Sequence, residues 1–108
     1  MSEVDGVKRR LARSLNSLGA FIFDRRLIND KLVEELLVSL GVSGLLSRTI
    51  VGDIVVYYVD TRRLRKRCLY EKCSMEDVIA RESCLRECLY NLEKQVLKEV
   101  IEALEGTT

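Results

Sequence analysis

Four cysteines are the residues best equipped for chemistry in this chain of 108 residues, and all four, Cys68, Cys73, Cys84 and Cys88, fall within twenty-one positions. Their spacing is Cys-x4-Cys-x10-Cys-x3-Cys. Such a cluster suits two disulfides, a four-thiolate metal site, or free thiols with redox activity. Zinc knuckles ordinarily use Cys-x2-Cys and thioredoxin-like centres use Cys-x-x-Cys, and neither spacing occurs here. For a redox role, Arg86 is the cation placed to lower a thiolate pKa. Two antiparallel segments would pair the cysteines in nested fashion, Cys73 with Cys84 and Cys68 with Cys88. Cys84 and Cys88 lie four apart and share a helical face, whereas Cys68 and Cys73 do not unless a helix ends between them. A helix running from Met75 would carry Cys84 ~15 Å from its start. Bridged Cα atoms lie within ~7 Å, so nested pairing demands a break near Arg81 to Ser83 or a long connector. The expectation is a structural staple, worth ~2–4 kcal/mol per bridge.

Other chemistry is thinly supplied. The chain has no histidine, proline or tryptophan, which removes the commonest general base and the commonest metal ligand. There is no Walker loop, no G-x-G-x-x-G and no H-E-x-x-H, and no pair of acids stands out from the surface charge. We read no catalytic residues, no metal and no cofactor, and expect a protein that is not an enzyme.

Charge is distributed unevenly. Eighteen Lys and Arg against seventeen Asp and Glu leave a formal +1. Residues 1–67 nevertheless carry thirteen basic and eight acidic residues, a local +5, and residues 68–108 carry five and nine, a local −4. The basic clusters are Lys8, Arg9 and Arg10 with Arg13, then Arg25 and Arg26, then Arg62, Arg63, Arg65, Lys66 and Arg67. On one face they would neutralise phosphates, and Arg48 with Tyr57 or Tyr58 would add groove or base contacts. The competing reading is a solvated, salt-bridged surface. Few amides and many charges fit a thermophile, a setting in which intracellular disulfides are tolerated. The longest apolar run, Ile54 to Val59, is six residues, far short of a membrane span, and the N-terminal stretch lacks a hydrophobic signal core. These features predict a cytoplasmic protein with no membrane association.

The elements that must position these residues are legible from periodicity. Val4, Val7, Leu11, Leu15 and Leu18 recur at helical steps, with Ser2 and Asp5 as a capping box and Gly19 as the stop; Lys8, Arg9, Arg13 and Asn16 take the opposite face. Ala20 to Phe23 suits a strand or more helix. Asn29 or Asp30 caps a second helix through Leu40, buried through Leu32, Val33, Leu36, Leu37 and Leu40, and ended by Gly41. Thr49 to Val51, Gly52-Asp53 and Ile54 to Val59 read as a hairpin that pairs Val51 with Ile54, Ile50 with Val55 and Thr49 with Val56. Its apolar faces need cover on at least one side. Asp60 or Thr61 caps a basic helix, Ser74 with Asp77 forms a second capping box, and from Met75 the chain is helical almost to its end. Val78, Leu85, Leu89, Leu92, Val96, Val100 and Leu104, widened by Leu97 and Ile101, form its stripe.

Helix, helix, the short Ser43-Gly44-Leu45-Leu46 segment and the hairpin together resemble a winged-helix domain over about residues 3–60. The resemblance implies a recognition helix before the hairpin, with the hairpin as wing, although Ser43 to Arg48 is short and broken by Gly44. The predicted fold is therefore α+β and mostly helical. Two N-terminal helices and a winged-helix-like hairpin (1–60) are followed by a Cys-stapled helical hairpin with a long amphipathic helix (61–108), in one domain. The expected function is nucleic-acid binding, DNA in particular, with the C-terminal helix packing on its own domain or making a homodimer or a helical protein interface. The alternatives are an adaptor or accessory subunit of a larger assembly and a thiol redox protein.

Overall fold

The computed structural model describes residues 3–106, so the Ser2 of the expected first capping box lies outside the described residues. The chain is α+β and mostly helical. Its elements run α1 (Glu3–Leu18), β1 (Ala20–Asp24), α2 (Asp30–Ser39), a single 3-10 turn (Ser43–Leu45), β2 (Ser47–Val51), β3 (Ile54–Tyr58), α3 (Thr61–Glu71) and α4 (Val78–Glu105). The backbone divides into two compact units, with boundaries between Val59 and Asp60 and between Val96 and Leu97. The last residues of α4 thus belong with the N-terminal elements, and its beginning belongs with α3.

In the first unit the local signals hold. Asn29 caps α2, its side chain accepting from the Lys31 amide at 3.0 Å. Gly41 ends α2 at a φ of 73°. There the Val42 amide donates to the Leu37 carbonyl at 3.0 Å and the Gly41 amide to the Val38 carbonyl at 3.0 Å. This is a Schellman closure, which requires the left-handed conformation glycine adopts without penalty. The hairpin has the expected register. Gly52 takes a φ of 62° and no non-glycine residue among the described residues has positive φ, so the turn has the single positive centre of the II′ kind, matching strand twist.

Ala20–Asp24, whose composition suits strand and helix alike, is a strand and pairs antiparallel with β3. The sheet order is β1-β3-β2. Alternation places Phe21, Phe23, Val55 and Tyr57 on one face, and all four are buried. The rings of Phe21 and Phe23 stack with centroids 4.9 Å apart. The same unit also buries Val7, Leu11 and Leu15 from α1, Val33, Leu36 and Leu37 from α2, and Val100 and Leu104 from the end of α4, with α1 packed on β1 and on α2. Leu11 and Val33 are fully buried at 0% exposure; each such side chain stabilises by roughly 1.5–3 kcal/mol. On the opposite sheet face Ile22, Val51 and Ile54 remain exposed, so cover reaches one side only.

One expectation from the winged-helix resemblance is corrected here. The element before the hairpin is one 3-10 turn, with no recognition helix. Gly44 and a span of three residues are too little for the costly nucleus of an α-helix.

In the second unit, the Asp60 side chain caps α3 by accepting from the Arg62 amide at 3.0 Å. Cys68–Cys88 and Cys73–Cys84 are bonded, with Cα separations of 6.0 and 5.7 Å: the nested pairing. The route to it differs from a helix begun at Met75. Helix α4 starts at Val78, capped by Asp77 accepting from the Ile79 amide at 3.1 Å, and continues through Arg81 to Ser83 without a break. Residues 72–77 form the connector that returns the chain, so Cys84 sits only ~9 Å along α4. The core of this unit is Cys68, Cys73, Leu85 and Cys88, with Leu69, Cys84, Leu89 and Leu92 packed against it. The α4 stripe is therefore buried at Leu85, Val100 and Leu104 within the chain itself, while Val78 at its start is exposed.

Candidate nucleic-acid interface

The expected basic residues separate into cations with carboxylate partners and cations without. Arg25 and Arg26 follow β1 and are held at the hairpin end: Arg25 pairs with Asp53 at 3.3 Å, and Arg26 with Asp24 at 2.7 Å and Asp53 at 3.5 Å. The Arg26 guanidinium, donating to Asp24 alongside its own backbone amide, lowers the Asp24 carboxyl to about 2. Arg48 on β2 is tied to Asp30, the first residue of α2, by a close ion pair and by an Nε–Oδ1 hydrogen bond of 3.2 Å. Tyr57 donates its hydroxyl to the same Asp30 oxygen at 3.3 Å. Burial, and then the Asp30 charge, push the Tyr57 phenol up to about 12. Tyr57 is 4% exposed and its hydroxyl is engaged, so it is a core and bracing residue and is closed to base contact. Tyr58, on the outer sheet face, is half-buried.

Helix α1 carries Lys8, Arg9 and Arg13 beside Asn16 along an open groove of about 550 Å³ that Leu104 and Gly106 of the same unit complete, with Asp5 and Glu105 at its rim. Arg10 points elsewhere, into a smaller groove with Gly6, Leu27 and Ile28. Among the described residues Lys8, Arg10 and Arg13 make no ion pair.

Helix α3 shows the same division within eleven residues. Arg62 pairs with Asp60 at 3.2 Å, Arg65 with Glu82 at 3.3 Å and Arg67 with Glu71 at 3.3 Å. The Asp60 carboxyl is lowered by the Arg62 hydrogen bonds. Arg63 and Lys66 have no carboxylate partner among the described residues. They fall at i and i+3 with Tyr70 at i+7, hence on one helical stripe, opposite the buried Cys68. Tyr70 is 85% exposed. Tyr70 is absent from the sequence expectations, although its spacing from Arg63 and Lys66 is the signal that marks it.

The four sulfurs are spent on one another and offer no thiolate to a metal. No group of three or more metal-ligating side chains occurs among the described residues, and no helix among them is long and apolar enough to cross a membrane. No protein-family model, curated protein or solved structure matches the chain.

Proposed function

We propose that the protein is a small, non-enzymatic nucleic-acid-binding protein directed at DNA. The observation that carries the reading is the α3 stripe of Arg63, Lys66 and Tyr70, two cations with no carboxylate partner among the described residues beside an exposed aromatic ring. Carboxylate-paired arginines are already neutralised, whereas unpaired cations can replace counterions at phosphates. An exposed tyrosine beside them supplies a stacking surface for a sugar or base. Lys8 and Arg13 on α1 supply a second pair of cations, without an aromatic neighbour in their groove. Arg25, Arg26, Arg48, Arg62, Arg65 and Arg67 contribute to the field and brace the fold.

The test is fluorescence anisotropy with labelled duplex and single-stranded DNA across a salt series. Binding at ~50 mM salt should weaken with rising salt. In R63A/K66A the log–log slope should fall by about 2, near 0.9 for each phosphate that is no longer neutralised. No binding at ~50 mM salt, or salt-insensitive affinity, rejects the reading.

A second reading, an accessory subunit in a larger assembly, is favoured by the uncovered sheet face of Ile22, Val51 and Ile54 and by the exposed Met75, Val78 and Ile79 around the start of α4. These apolar patches would also serve self-association. Stoichiometric co-purification with another protein, without DNA binding, would select it.

A further inference from the structure

The two disulfides are unequally accessible. Cys68 is 1% exposed, Cys73 0% and Cys88 8%, whereas Cys84 is only partly buried. A hollow of about 260 Å³ opens beside Cys84, walled by Lys72, Glu87, Asn91 and Gln95 and reaching Cys88. Glu87, Asn91 and Gln95 stand four apart on α4 and so form one polar stripe next to the sulfur. The Cys84 sulfur itself lies 3.6 Å from the Lys72 carbonyl oxygen at the end of α3.

We propose that this hollow receives a low-molecular-weight amino-acid or peptide thiol, and that Cys84 is its point of covalent attachment. Thiol–disulfide exchange needs a thiolate to reach one sulfur and a leaving sulfur behind it, so the accessible sulfur decides the chemistry. The incoming thiolate forms a bond to Cys84 Sγ, the Cys84–Cys73 bond breaks, and Cys73 leaves as a thiolate that takes a proton from water. The sulfur of the small thiol is oxidised to the disulfide level, the Cys73 sulfur is reduced to a thiolate and the Cys84 sulfur is unchanged, so the exchange needs no other electron donor. The Lys72 ammonium favours the approaching anion. The amides of Asn91 and Gln95 and the Glu87 carboxylate offer donors and acceptors for the amino and carboxyl ends of the thiol. Cys68–Cys88, buried at both ends, keeps α3 joined to α4. The modification therefore frees the 72–77 connector alone.

The experiment exposes the full, oxidised chain to graded glutathione, quenches with acid, alkylates free thiols and maps peptides by mass spectrometry. The first product should carry glutathione on Cys84 and the alkyl group on Cys73, with Cys68–Cys88 intact. Glutathione first on Cys73, Cys68 or Cys88 would overturn the proposal. The hollow is tested by rates: Gln95→Leu should slow glutathione attack about threefold, the size of one modest hydrogen bond, while leaving attack by 2-mercaptoethanol unchanged, whereas Lys72→Gln should slow both thiolates. Equal rates for glutathione in variant and parent would also overturn it.

Discussion

Replacing Cys68 and Cys88 by serine should unfold the second unit while the first keeps its structure. The outer bridge spans a sequence separation of 20, but with the inner bridge kept the ring it closes runs only through residues 68–73 and 84–88, about 11 residues, for which chain entropy gives about 2.8 kcal/mol at 25 °C. Two serine hydroxyls would then sit at buried positions in a core whose one other fully buried member among the described residues, outside the cysteines, is Leu85. An unsatisfied buried hydroxyl costs about 1–3 kcal/mol. Burial of Leu85 contributes only about 1.5–3 kcal/mol, and so cannot offset both losses. Hydrogen exchange with mass spectrometry reads the result unit by unit. Amides of Thr61–Glu71 should lose protection, while those of β1, β3 and α1 retain it. Replacing Cys73 and Cys84 instead opens a loop of separation 11, worth about 2.8 kcal/mol by the same relation. That variant should deprotect residues 72–77 and leave α3 in place. Protection of α3 that survives loss of the outer bridge would refute the view that the cystines are the core of this unit.

Three further predictions rest on single sites. The Tyr57 phenol titrates at about 12 in the folded chain and near 10 when unfolded. Its contribution is therefore fully present below pH ~10 and is lost as pH rises toward 12, so Tyr57→Phe should flatten that part of the stability–pH curve in denaturant melts. Asp24, held at about 2 by Arg26, contributes above its unfolded value and loses that contribution as pH falls through about 2. In Arg26→Met its carboxyl ¹³C titration should move up toward the ordinary range near 3.9. Gly6 is helical with nothing within 4 Å of an added Cβ, whereas Gly52 has a φ of 62°. Gly6→Ala should stabilise by about 0.5–1 kcal/mol and Gly52→Ala should destabilise by about 1–2 kcal/mol, read as opposite shifts of Tm.

Sequence carries the features governed by neighbours in the chain. Asn29, Gly41, Gly52 and Asp60 each satisfy a backbone requirement within a few residues, so their roles can be read directly. The pairing of β1 with β3 joins residues about thirty or more positions apart and depends on a shared buried face, which the five residues of β1 alone do not reveal. The ion pairs follow the same rule. Arg67–Glu71 has helical spacing, but Arg48–Asp30 and Arg65–Glu82 exist only because folding brings distant elements together. Charge density along the chain consequently overstates the free basic surface at Arg25, Arg26 and Arg48. The start of α4 is ambiguous in sequence because Ser74 and Asp77 both suit a cap, and the inner bridge favours the later one.

The nested bridges also alter how the chain bears load. Tension applied between its ends passes from Cys68 to Cys88 through sulfur, over a Cα separation of 6.0 Å. The intervening residues stay slack, although their extended contour would be about 70 Å. An unfoldase drawing the oxidised protein through a narrow pore must therefore admit a closed loop, with more than one strand abreast. The same machine acting on the reduced protein meets a single thread.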